Sequence, residues 1–219
     1  MRLWQTIRPS ILGRHVHTSA YAAIVLSGSY EEAGDAGRHR VRPGDVVFHE
    51  AFEAHLNRVP GSGAEVLNVP LPSDYAFGSG LAISVDLDAI VALIQESEWG
   101  AVALLLSSIE RRDPVRHDWP DELAAALTQD TSLTLSSWSD GQGMSAWEVS
   151  RGFARVFEVS PSAFRARART RRAWKAILTT KIPLARIAAE CGFADQSHMT
   201  RSVRSMTGKV PSAWRPRCK

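Results

Sequence analysis

Acidic side chains are scarce in the last part of this chain. From residue 129 onward there are 6 Asp+Glu against 16 Lys+Arg, a net +10; residues 1–128 carry 17 acids against 10 bases, a net −7. The overall +3 conceals this division. A basic segment joined to an acidic body points to a polyanion-binding module attached to something else, although charge alone fits a solvated basic surface equally well. Cysteine is almost absent: Cys191 and Cys218 share no Cys-x-x-Cys spacing, which argues against a disulfide framework and a cysteine-ligated zinc site. A reduced, cytoplasmic compartment is the expectation. Long hydrophobic runs are missing too. Ala101–Leu106 is the longest of note, against the roughly 18–20 apolar residues a membrane span needs. Arg8 interrupts the first apolar cluster, so neither a membrane span nor a signal-peptide core is expected.

What is present is a phrase said twice, fifty residues apart. Pro161-Ser162-Ala163-Phe164-Arg165 returns as Pro211-Ser212-Ala213-Trp214-Arg215. The same offset pairs Val149 with Met199, Ser150 with Thr200, Arg151 with Arg201 and Phe153 with Val203. Two copies are too few for a solenoid and read as twin supersecondary modules.

Each module reads as two helices around a tight turn. In the second, Pro183 suits the first position of a helix with Leu184, Ile187 and Ala188 on its buried side, and Gly192 ends it. A second helix follows from about Asp195 to Met206, with Met199, Val203 and Met206 on one stripe. Gln196, Ser197, Thr200, Arg201 and Arg204 lie opposite that stripe. In the first module Ser145 and Glu148 form a capping-box pattern, and Val149, Phe153 and Phe157 recur every four residues. Trp147, Ser150, Arg151 and Arg155 face outward. Helix, glycine-containing turn and a second helix with a basic polar face is the helix-turn-helix plan.

The run Ile187-Ala188-Ala189-Glu190-Cys191-Gly192-Phe193-Ala194-Asp195-Gln196-Ser197-His198-Met199-Thr200-Arg201 closely resembles the signature of AraC-type transcription regulators. The resemblance implies an all-α DNA-binding domain over residues 119–219. It would hold a first module at about 133–160, a joining helix at about 162–178 and a second module at about 183–210. Phe164, Ala168, Ala173, Trp174 and Ile177 would face the modules. It further implies that Trp147, Ser150, Arg151, Gln196, Ser197, Thr200, Arg201 and Arg204 contact DNA. Glutamine suits adenine and arginine suits guanine through paired hydrogen bonds, while phosphate clamping is the alternative for the arginines. The first module departs from the family pattern: Glu158 stands where a glycine usually precedes the turn, and Gly141 and Gly152 are weak helix formers. It is expected to be the less regular of the two.

Residues 14–72 change character, with short apolar runs at Tyr21–Leu26, Arg38–Val41, Asp45–Phe48 and Glu65–Val69. Gly28, Gly34, Gly37, Pro43-Gly44 and Pro60-Gly61 punctuate them, as in a β-sandwich or barrel. His15-x-His17 followed by Gly28, then Gly44-Asp45 and His55, resembles a cupin, which implies a ligand-binding β-barrel over residues 1–80. Tyr21 falls at the position of the cupin's metal-ligand glutamate. His15 and His17, two apart, would share one face of a strand, with His55 a third nitrogen. His15, His17, Tyr21 and His55 are thus the candidate ligand-binding residues. The three histidines are also candidate ligands for a divalent metal (zinc, iron or nickel). The other reading makes them remnants around an organic ligand, and Arg38, His39, Arg40 and His49 show that basic side chains are common here.

Residues 81–118 read as a helical linker. Leu87, Ile90, Val91 and Ile94, then Val102, Leu105, Leu106 and Ile109 follow helical spacing, as a dimer contact or as packing on the barrel. The expected whole is an α+β multidomain protein: cupin-like barrel, helical linker and two helix-turn-helix modules. It would act without catalysis as a promoter-binding activator or repressor set by a small-molecule effector. A homodimer on double-stranded DNA, with RNA polymerase as a further partner and no membrane contact, completes the expectation. A metal-dependent cupin enzyme, an oxygenase or isomerase with a DNA-binding tail, is the alternative.

Overall fold

A computed structural model of the chain describes residues 2–72, 78–84, 86–112, 118–130 and 132–215. The chain divides into two compact units, 1–117 and 118–219.

The first unit is built on two antiparallel sheets. Its strands are β1 (Trp4–Ile7), β2 (Ser10–Val16), β3 (Tyr21–Gly28), β4 (Tyr30–Gly34), β5 (Gly37–Val41), β6 (Asp45–His49), β7 (Ala54–Val59), β8 (Ala64–Pro70), β9 (Gly80–Ser84) and β10 (Ile109–Arg111). One sheet runs β1-β8-β3-β6-β9-β10 and the other β2-β7-β4-β5. Strand β3 shows why its sequence is a continuous apolar run. Tyr21, Ala23 and Val25 point into the layer shared with Tyr30, Val41 and Val59 of the second sheet. Ala22 and Ile24 point the opposite way, toward helices. Both faces of a central strand are covered here, so the polar half of the usual alternation disappears.

Those helices are α1 (Leu87–Glu96) and α2 (Glu98–Ser108). Ile90, Ile94, Ala101, Val102 and Leu105 share one cluster with Ala22, Ile24, Val46, Phe48, Leu67, Val69 and Ala82 of the larger sheet. This corrects the reading of residues 81–118 as a separate linker. Strand β9 pairs with β6, β10 pairs with β9, and the apolar stripe packs on the larger sheet. Ile109 leaves the helix and enters β10.

The second unit is all helical: α3 (Trp119–Gln129), α4 (Leu135–Gly141), α5 (Ala146–Phe157), α6 (Pro161–Thr179), α7 (Leu184–Glu190), α8 (Gln196–Thr207) and α9 (Pro211–Trp214). Helices α5 and α8 are each 12 residues long and start fifty positions apart, as do α6 and α9. Pro183 sits one position earlier than expected, as the N-cap of α7. Helix α6 carries Phe164, Ala173, Trp174 and Ile177 into the core, while Ala168 is only half-buried. Phe164 meets Phe153 and Phe157 of the first module at ring distances of 5.3 and 5.5 Å, and Trp174 meets Trp214 at 5.7 Å. Among the described residues no helix is long and apolar enough to cross a membrane.

The first module is as regular as the second, contrary to expectation. The Ser145–Glu148 capping box is complete, with Glu148 N–H donating to Ser145 Oγ at 3.2 Å and Ser145 N–H to Glu148 at 3.0 Å. Gly152 is not merely a weak helix former. A Cβ there would stand 2.4 Å from the indole of Trp119, so the glycine is what lets α3 and α5 approach. Glu158 ends α5 at φ 53°, in the left-handed region that Gly208 takes at φ 75° after α8.

Two stability outcomes follow. Glu158→Gly should stabilise residues 118–219 by about 0.5–1 kcal/mol, because the left-handed conformation costs a side chain roughly 1–2 kcal/mol and glycine's extra chain entropy offsets part of that. Calorimetry should show a higher midpoint, and a lower one would mean that Glu158 contacts outweigh the backbone. Gly152→Ala should destabilise by about 1–2 kcal/mol, since overpacking of roughly 1–3 kcal/mol exceeds alanine's helix-propensity gain of about 1 kcal/mol. A stabilised variant would show that Trp119 yields freely.

Candidate DNA-reading helices and buried histidine cavity

Helix α8 is capped by Asp195, whose carboxylate accepts the His198 N–H at 2.6 Å, and its first turn holds no acidic residue. Met199 and Val203 are fully buried and pin one side of the helix. Met206, expected on the same stripe, is only half-buried because the helix is ending there. Gln196, Ser197, Arg201 and Arg204 are exposed on the other side, and Thr200 is half-buried. The helix therefore offers amide, hydroxyl and guanidinium donors along an open face. Its amino terminus carries the positive end of the helix dipole, which favours a phosphate nearby.

Helix α5 repeats this with Val149, Phe153 and Phe157 buried. Trp147 is 65% exposed, Arg151 is exposed and Ser150 half-buried. The Arg151 guanidinium lies 5.1 Å from the centre of the Trp147 ring, a cation–π contact across one helical turn. That stacking steers Arg151 along the open face and leaves its in-plane donors available.

The turn between α7 and α8 is held from outside. Arg169 of α6 donates to the Gly192 carbonyl at 2.9 Å, and its guanidinium lies over Phe193 at 4.7 Å. Cys191 is buried and free, and burial raises its thiol pKa; Cys218 lies outside the described residues. Arg186 is tied to Glu190 at 2.7 Å.

In the first unit the four ligand candidates meet. The His15 and His55 rings are 4.4 Å apart, His17 is 5.0 Å from His15 and 4.9 Å from Tyr21, and the Tyr21 hydroxyl lies 3.4 Å from His55 Nε2. His15 uses Nδ1 on the Gly13 carbonyl at 2.9 Å, which leaves Nε2 for the cavity. The cavity measures about 70 Å³ and lies between the sheets. Two residues that the sequence left among ordinary polar positions also line it. Glu32 of β4 and His49 of β6 are 2% and 1% exposed, with His49 Nε2 3.5 Å from the Glu32 carboxylate. Each comes from a strand distant in sequence, so no short motif announces them. The signal was a glutamate two positions after the buried Tyr30 on β4 and a histidine closing β6 after Val46, Val47 and Phe48.

Burial dominates the electrostatics. It raises the Glu32 carboxyl well above its usual range, reinforced by nearby Glu53. It lowers His55 far below the ordinary histidine value, followed by the neighbouring His49, His15, His17 and Arg14. Burial and then His15 lower His17 in the same way, while burial first and Glu32 next raise Tyr21. His17 and His55 are thus held neutral, the form in which imidazole donates a lone pair.

Residues 138–217 match a protein family described as "Helix-turn-helix domain". No curated protein matches the chain. Among solved structures, the C-terminal domain of AraT, a response regulator from Geobacillus stearothermophilus, is similar at 20% identity and TM-score 0.41, covering 44% of this chain and 82% of that one. A probable AraC family transcriptional regulator from Rhodopseudomonas palustris is similar at 24% identity and TM-score 0.39, over 43% of this chain and 94% of that one. ToxT from Vibrio cholerae spans 97% of this chain and 98% of its own, at 10% identity and TM-score 0.46. At these identities and scores the likeness bears on neither ligand nor partner. The duplicated modules, their open polar helices and the matched segment together make residues 138–217 a helix-turn-helix domain.

Proposed function

We propose that the protein is a sequence-specific transcription regulator. Helices α5 and α8 read promoter DNA, and the occupant of the histidine cavity sets the regulatory state. The observation that carries this reading is the pair of equal helices, fifty residues apart, with open polar faces on one shared α6 scaffold. Trp147, Ser150 and Arg151 serve the first contact, and Gln196, Ser197, Thr200, Arg201 and Arg204 the second. The effector is a small molecule, or a divalent metal such as zinc, iron or nickel, held in the cavity that His15, His17, Tyr21 and His55 line. RNA polymerase is the further partner through which occupancy alters transcription. A homodimer belongs to the proposal as well. Its contact would use a face other than the stripe of α1 and α2 that the sheet has taken.

The domain assignment is tested by the fragment 118–219. It should bind duplex DNA with an affinity that falls steeply as salt rises, because each neutralised phosphate releases counterions. Binding by residues 1–117 and none by 118–219 at low salt would overturn it.

Base reading is tested by two substitutions on α8. Gln196→Ala should cost about 1–3 kcal/mol on a selected duplex and little on a random one, as expected for a lost paired contact to adenine. Arg204→Ala, farther along the helix, should weaken both duplexes alike, as a phosphate contact does. Equal losses on both duplexes from Gln196→Ala would show that α8 does not read bases.

A further inference from the structure

The cavity between the sheets contains more donors than His15 of β2, His17 just beyond that strand and His55 of β7 supply. Glu32, His49 and His55 each offer one ligand atom, and those three atoms lie within 4.8 Å of one another. All three residues are almost fully buried, at 2%, 1% and 2% exposure. Among the described residues, His55 Nδ1 and Asn57 Oδ1 have no hydrogen-bond partner, and one Glu32 oxygen has none beyond the 3.5 Å approach of His49 Nε2. Unpartnered buried acceptors are uncommon in native proteins and call for a water or an ion. A carboxylate removed from water needs a positive partner or a proton.

We propose that this cavity is a divalent transition-metal site whose protein ligands are Glu32, His49 and His55, with one open position facing His15 and His17. The 3.5 Å between His49 Nε2 and the Glu32 oxygen is close to the edge of a tetrahedron with metal–ligand bonds of about 2.1 Å. Two imidazoles and one carboxylate around an open position is a donor set for zinc, iron, cobalt or nickel, whereas calcium and magnesium seek all-oxygen cages. A cavity of about 70 Å³ accommodates the ion with a water or two. His15, His17 and His55 also lie within 4.8 Å of one another, but that set lacks an anion, and His15 and His17 are half-exposed. Because His55 belongs to both sets, the deeper one gains the carboxylate and the drier surroundings. Tyr21, stacked on His49 at 4.4 Å, walls the site without supplying a metal-binding carboxylate.

The inference deepens the effector reading and rests on the cavity being a ligand site; metal content is measured apart from DNA binding, so the two can fail separately. The full chain, stripped with a chelator, is titrated with Co2+ and then Zn2+ and followed by d–d absorption and elemental analysis. One equivalent of Co2+ should bind, and Zn2+ should displace it. Glu32→Gln should weaken binding about 100-fold or more, whereas His17→Ala should weaken it less than 10-fold. Far-UV circular dichroism checks folding, and His49→Gln provides the same test if Glu32→Gln fails to fold. The proposal is overturned if the wild-type chain binds neither ion. It is equally overturned if folded Glu32→Gln and His49→Gln bind as tightly as wild type while His17→Ala does not.

Discussion

One stripe of α6 holds the DNA-binding unit together. Phe164 enters the aromatic cluster of the first module with Phe153 and Phe157, and ten positions on, about 15 Å along the axis, Trp174 meets Trp214 of the second. Each such side chain contributes about 1.5–3 kcal/mol on burial, so the two modules are anchored to a common rod by comparable terms. Arg172 adds hydrogen bonds to the Thr128 and Gln129 carbonyls at 2.8 and 2.9 Å, which ties α3 to the same helix. Two recognition helices can address successive turns of duplex only if their spacing, about 34 Å, is fixed by something stiff. A helix of 19 residues with both modules packed on it is suited to that task.

In the first unit the dependence runs the other way, from many strands into one cavity. His15 comes from β2, Tyr21 from β3, Glu32 from β4, His49 from β6 and His55 from β7. The apolar layers around β3 exclude water, and that exclusion lowers the pKa of His17 and His55 and raises that of Glu32. The same burial that stabilises the sheets thus makes the cavity's nitrogen lone pairs available.

Local signals were legible in the sequence. The fifty-residue offset located α5 and α8, and Ser145, Glu148 and Asp195 marked helix starts with side chains that act within one turn. The apolar runs of β3, β6 and β8, and the glycines and prolines between the strands, were visible for the same reason. What escaped depended on distant neighbours. Gly152 reads as a weak helix former until Trp119 is placed against it. The stripe of α1 and α2 suits a second chain or a sheet equally, and only the pairing of β9 and β10 at the larger sheet's edge shows which it meets. Glu32 and His49 look like ordinary polar residues because strand pairing, not spacing, brings them beside His55.

Regulation by this protein depends most on two fixed helices reading bases together. Selection of duplexes bound by the full chain from a random pool tests that directly. The account predicts enrichment of a site with two short elements whose centres lie about 10–10.5 base pairs apart, one turn of duplex. A pool that shows no enrichment, or enrichment of a single element with no fixed neighbour, would contradict it.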